Sequence, residues 1–96
     1  MALPIQRIGD SNDGGGIITS TPQSTVYVNG LLVAVDGSIG TSHDHCKDHY
    51  IHCEGQWQTI GGSPNVYIEG IPVNRTGDVD TCGHVRVGGS GNVFVP

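Results

Sequence analysis

The sequence predicts an all-β domain in which three like segments surround one centre. Composition gives the strands, an internal repeat gives the number three, and the division of one repeat between the chain ends gives the closure. Val and Ile supply 20 of the 34 apolar residues, while Ala, Leu, Lys and Glu together number only 8 of 96. Branching at Cβ favours a pleated surface over a helix. Gly and Pro make up 21 residues and punctuate short apolar runs, which is the pattern of strands separated by tight turns. A helix bundle, a coiled coil and a βαβ nucleotide-binding unit are excluded on this ground.

The repeat is read by self-comparison. Val66-Tyr67-Ile68-Glu69-Gly70-Ile71-Pro72-Val73 aligns with Val26-Tyr27-Val28-Asn29-Gly30-Leu31-Leu32-Val33 at an offset of 40. The third copy is split. Val93-Phe94-Val95 supplies its first strand, and Leu3-Pro4-Ile5-Gln6-Arg7-Ile8-Gly9-Asp10 matches Ile71-Pro72-Val73-Asn74-Arg75-Thr76-Gly77-Asp78. A linear solenoid needs no such division, whereas a ring does, and a ring leaves no strand edge unpaired. Each copy turns at an Asn-Gly or Glu-Gly step, and Asn-Gly is a strong hairpin signal. The alternating residues Val26, Val28, Val66, Ile68, Val93 and Val95 can serve as core or as docking surface, which alternation alone does not separate, and the core is the expected role. The Gly62-Ser63 and Gly89-Ser90 steps read as ordinary turn chemistry.

Each copy ends in a loop: Ser11 to Gly16, Ile39 to Gln56, and Val79 to His84. A threefold arrangement brings the three loops to one end. The segment from His43 to Cys53 carries six His or Cys in eleven positions: His43, His45, Cys46, His49, His52 and Cys53. Cys82 and His84 follow in the third loop. Three Cys cannot all pair within one chain, and a reducing cytosol disfavours disulfides. Imidazole and thiolate are instead the ligands of a tetrahedral zinc, and iron accepts the same set. Small domains often need such a staple. The alternative is a solvated His-rich loop. The spacing fits no standard zinc finger, so the residues alone do not choose four ligands from eight.

The net charge of −5 with only four basic residues argues against nucleic-acid binding. No apolar stretch is long enough for a membrane helix. The N-terminus lacks a secretory signal, so synthesis in the cytoplasm and export by other machinery are expected.

With these motifs in place, the chain resembles the PAAR-repeat proteins, named for a Pro-Ala-Ala-Arg motif. The motif stands here as Pro4-Ile5-Gln6-Arg7 and Pro72-Val73-Asn74-Arg75, each followed by x-Gly-Asp, and the middle copy is degraded to Leu32-Val33-Ala34-Val35 with Asp36-Gly37-Ser38. The resemblance implies a small conical domain of three pseudo-threefold β-hairpin repeats with a metal site near the apex. It further implies a structural tip, not an enzyme. Such a tip caps the trimeric β-helical membrane-piercing spike of a type VI secretion system or contractile phage tail. One tip sits on each trimer, effector cargo is an additional partner, and the target membrane is met mechanically on delivery into the cell envelope. Family members typically hold the metal with three His and one Cys. Cys82 matches the third-loop Cys, and His43 lies nearest the second-loop slot. In the first loop Asp13-Gly14-Gly15-Gly16 lacks the usual His, so a ligand must come from elsewhere. The expected set is His43, His52, Cys82 and His84, with Cys46, Cys53 and His45 in reserve. The expected unit is a single domain over residues 1–96 without an extension domain.

Two other readings compete. A small zinc-dependent hydrolase would use Glu54 beside the cluster as general base. A zinc-stabilised binding module for another partner would need no catalytic group. A metal-bound water would favour the hydrolase, and binding to a trimeric spike protein, one copy per trimer, separates the tip from the other binding module.

Overall fold

In the computed structural model, residues 2–41, 57–81 and 83–96 are described, and among them no helix forms. The strands are β1 (Leu3–Pro4), β2 (Ile18–Ser20), β3 (Tyr27–Val28), β4 (Leu31–Leu32), β5 (Ile39–Gly40), β6 (Tyr67–Ile68), β7 (Ile71–Pro72) and β8 (Phe94–Val95). Each is too short to stand alone, since an isolated hairpin is marginal in water. Order therefore comes from the way the three repeats interlock.

The hairpins form in one shared register. Tyr27 pairs with Leu32 and Val28 with Leu31; Tyr67 pairs with Pro72 and Ile68 with Ile71. The third hairpin is closed by the chain ends, with Phe94 opposite Pro4 and Val95 opposite Leu3. Asn29 and Gly30 have φ of 56° and 80°, and Glu69 and Gly70 have 53° and 80°. Two successive left-handed residues are what a two-residue hairpin turn of the primed type requires.

The repeats are locked to one another in cycles. The Gln6 N–H donates to the Asn74 carbonyl, Asn74 N–H to the Ala34 carbonyl, and Ala34 N–H to the Gln6 carbonyl, at 3.0, 2.9 and 2.9 Å. Around that triangle Arg7 pairs with Val33, Val35 with Val73, and Arg75 with Ile5. All three residues of the triangle are fully buried. Each bond closes onto the next repeat, so the pseudo-threefold axis is a physical object made of three backbone hydrogen bonds. Ile5, Val33, Val35, Val73 and Val95 form the core at this level, with Val28, Val66, Ile68 and Val93 packed against it half-buried. The expected inward face holds for five of the six alternating residues, while Val26 is exposed. A second cycle lies farther along the chain, where Ile18 pairs with Gly40, Asn12 with Arg86, and Thr59 with Asp80.

Between the two cycles every repeat turns at a glycine. Gly9, Gly37 and Gly77 have φ of 97°, 93° and 98°. The residue after each donates its N–H back three positions, to the carbonyls of Arg7, Val35 and Arg75. In the outer copies the Asp10 and Asp78 carboxylates accept the N–H of Arg7 and Arg75 and also grip their guanidinium groups. Hydrogen bonding to those carboxylates, against a smaller desolvation effect, raises both arginines above their ordinary value. The degraded middle copy keeps the backbone part alone, with Ser38 Oγ accepting from Val35 N–H at 3.2 Å.

Ser63 and Ser90 start their strands by accepting N–H groups two and three residues on, and the Gln23 side chain does the same in the middle repeat. The turn reading of both Gly-Ser steps therefore holds. Each hairpin tip then leans on a neighbouring strand start. Ser90 Oγ donates to Asn29 Oδ1 at 2.7 Å, Thr25 Oγ1 to the Glu69 carboxylate at 2.8 Å, and Ser63 Oγ to the Pro96 carbonyl at 2.6 Å. The domain is a small conical β fold with a radius of gyration of 12.2 Å.

Candidate functional site

Three further backbone bonds set the feet of the loops. Asp13 N–H donates to Val85, Thr41 to Ile17, and Thr81 to Gln58, at 2.9, 2.9 and 2.8 Å. The same threefold relation puts Gly16, Trp57 and His84 at matching places where the chain returns. All three loops thus leave the body at one end, as the repeat predicts. They begin later than the sequence suggests, because Ser11, Ile39 and Val79 are still paired with Ile17, Gln58 and Val85.

The backbone here is threefold but the side chains are not. Asn12 Oδ1 accepts the N–H groups of Gly14 and Gly16 and so shapes the first loop. Trp57 is buried, and its Nε1–H donates to the Thr41 carbonyl at 2.7 Å, tying together the two feet of the second loop. Under that ring, at 5.4 Å from its centroid, lies the guanidinium of Arg86, close enough for cation–π attraction. Arg86 is fully buried. Its Nη1 reaches both Asp80 oxygens at 3.1 and 3.0 Å, its Nε donates to Gln6 Oε1, and its Nη2 donates to the Asp10 carbonyl. Asn12 Nδ2 donates to Asp80 Oδ2 at 2.8 Å. A buried ion pair is tolerable only when its remaining hydrogen-bonding groups are satisfied in this way.

His84 sits at the foot of the third loop with 1% of its surface exposed. Its Nδ1 lies 2.8 Å from Asp13 Oδ1, and the same oxygen accepts the Val85 N–H at 3.2 Å. A Cβ on Gly14 would stand 2.6 to 2.9 Å from Cε1, Nε2 and Cδ2 of the ring. Near-equal distances to those three atoms put that point over the ring face, so the glycine lets the first loop lie flat on the imidazole. These contacts fit a metal-ligating histidine, with one nitrogen tied to a carboxylate and the ring oriented by packing.

Of the ligands expected from sequence, His84 alone lies among the described residues. His43, His52 and Cys82, the reserves Cys46, Cys53 and His45, and the candidate base Glu54 lie outside them. Among the described residues no three His, Cys, Asp or Glu side chains gather into a metal-binding group. Sequence reasoning passed over Trp57, Asp80 and Arg86. One signal was available: Arg86 falls at the repeat position of Ile18 and Thr59, and Asp80 at that of Asn12 and Gly40. Two opposite charges at otherwise uncharged repeat positions point to a pair.

The family model of the PAAR motif matches residues 8–88. The chain belongs to the PAAR-motif family. The matched stretch begins just before the first glycine turn, at Gly9, and ends beyond the last, at Gly77, so it contains the second cycle of inter-repeat pairing and all three loops, while Ile5, Gln6 and Arg7 of the first cycle precede it. A search of curated proteins finds no match. The family is structural rather than enzymatic and associates with spike proteins, which supports a spike-tip role in type VI secretion or phage-like contractile systems.

Proposed function

We propose that this PAAR-motif protein caps and sharpens a trimeric β-helical spike, one copy per trimer, and that a metal ion stiffens its loop end. Cyclic closure is the observation that carries the reading. A single chain repeats one pairing three times about an axis and joins its own ends in the third hairpin. A trimer offers three equivalent strand ends, and a pseudo-threefold surface can meet all three at once.

The hairpin end suits that contact. Val28, Val66, Ile68, Ile71 and Val93 are only half-buried there. Tyr27, Tyr67 and Phe94 hold the same position in the three repeats and are 59%, 55% and 51% exposed. The loop end suits the point. Gly14 and Gly40 admit close approach where a Cβ would strike the His84 ring or the Ile17 carbonyl.

A bound ion would join segments far apart in sequence, so its binding free energy would add to folding stability. His84 would hold it with ligands from His43, His52 and Cys82. Zinc is the expected ion for a closed four-ligand site, and iron suits the same donors. The role carries with it assembly in the bacterial cytoplasm and delivery into a target envelope, with effector cargo as a further passenger.

Mixing with a trimeric β-helical spike protein and weighing the complex tests the reading. One copy per trimer is expected. Three copies per trimer, or no complex, would contradict it.

A further inference from the structure

Asp13 stands in the first loop where a histidine would have offered a metal ligand directly, and its carboxylate instead engages His84. Three observations define what it does. Oδ1 sits 2.8 Å from His84 Nδ1, within charge-assisted hydrogen-bond range. The same oxygen is held by the Val85 N–H, and the Asp13 N–H is bonded to the Val85 carbonyl at 2.9 Å, so the carboxylate is fixed at both its backbone and its head. Gly14, the next residue, lies against the ring face. The first loop thus grips the imidazole from one edge and one face.

A carboxylate accepts and does not donate, so the proton of the neutral ring resides on Nδ1. The lone pair is then on Nε2. We infer that Asp13 is the positioning residue of the loop-end metal centre: it selects the His84 tautomer and aim that present Nε2 to the ion. The first repeat contributes to the centre through a neighbour's ligand. This rests on the metal reading above and adds to it a role for a residue of the loop that lacks a His.

Outer partners of this kind change metal affinity by about 10- to 100-fold. The test joins two readouts. Long-range nitrogen–proton NMR on the zinc-loaded wild-type protein assigns the protonated ring nitrogen of His84 without any substitution. Chelator competition then compares zinc affinity in wild type, Asp13→Asn and Asp13→Ala. The expected result is a protonated Nδ1 with Nε2 on the metal. Asp13→Ala should weaken affinity by about 10-fold or more, and Asp13→Asn, which keeps an acceptor oxygen without the charge, should fall between. Coordination through Nδ1, or an Asp13→Ala affinity within twofold of wild type, overturns the role of Asp13 and leaves the metal centre standing. A wild-type protein that takes up no zinc or iron overturns the metal centre as well.

Discussion

The hairpin half and the loop half share one backbone symmetry and fill it by opposite means. Around Gln6, Ala34 and Asn74 the threefold cycle is surrounded by Ile5, Val33, Val35, Val73 and Val95, and the matching positions Ile5, Val33 and Val73 carry like side chains, while Val35 stands where the other copies have Arg7 and Arg75. Around Asn12, Gly40 and Asp80 the backbone cycle repeats, yet the matching residues Ile18, Thr59 and Arg86 have nothing chemical in common. The first half is held by burial of interchangeable apolar groups. The second is held by contacts that exist once: the Arg86–Asp80 pair, the Trp57 clasp on Thr41, and the His84–Asp13 bond. Symmetry of the chain path therefore needs only glycine at the turns and a few backbone bonds, while the interior need not repeat. The consequence is that damage should spread differently in the two halves.

Metal removal should mark that boundary most strongly. An ion present at a thousand times its dissociation constant adds about 4 kcal/mol, and in a domain of this size each kcal/mol moves the melting temperature by about 4–8 °C. A strong chelator should lower the melting temperature by about 15 °C or more on this arithmetic. Hydrogen exchange should then speed up at the loop feet, at the amides of Asp13, Thr41 and Thr81, before it does at Gln6, Ala34 and Asn74. A melting curve unchanged on a sample that has lost its metal would remove the staple.

Breaking the buried pair comes next. Asp80→Asn keeps the shape but leaves Arg86 charged and uncompensated, at a cost of about 3–5 kcal/mol by denaturant titration. A loss below about 1 kcal/mol would show that Asp80 does not neutralise Arg86.

Two glycine substitutions sharpen the contrast further. Gly40→Ala drives a methyl into the Ile17 carbonyl and the Trp57 ring, and should destabilise by about 2–3 kcal/mol. Gly30→Ala meets open space and suffers only its φ of 80°, a cost of about 1 kcal/mol. Equal losses at the two sites would deny that the loop half is the tighter packed.

The smallest effect tests the degraded repeat. Val35→Arg with Ser38→Asp rebuilds in the middle copy the pair that Arg7–Asp10 and Arg75–Asp78 form in the others. Val35 and Ser38 are fully buried, so the new pair must find its own solvent. The double substitution should be tolerated less well than the natural pairs, by about 1 kcal/mol or more, and Ser38→Ala alone should lose about 1 kcal/mol with the cap on Val35 N–H. A gain in stability from the double substitution would show that the middle turn differs from its neighbours in sequence alone.

Legibility follows the same division. Alternation, the Asn29-Gly30 step and the split third copy expose the hairpin half, because apolar burial and tight turns leave periodic marks. The meeting of the chain ends could be read from Val93-Phe94-Val95 completing the unit that opens at Leu3. The loop half leaves few marks. Arg86 and Asp80 belong to no motif, Trp57 is a lone aromatic between a loop and a strand, and Asp13 reads as a missing ligand until its contact with His84 is seen. Single contacts between distant residues carry no period, so only comparison of the repeats position by position would have raised them.

One ion is expected to join the loops at the end of the axis. Diffraction from crystals of the metal-loaded protein, collected on both sides of the zinc absorption edge, tests it directly. One anomalous peak is expected at the loop end, about 2.0–2.1 Å from His84 Nε2, with donors from the second and third loops around it. The absence of any metal peak there, or a peak bound away from His84, would contradict it.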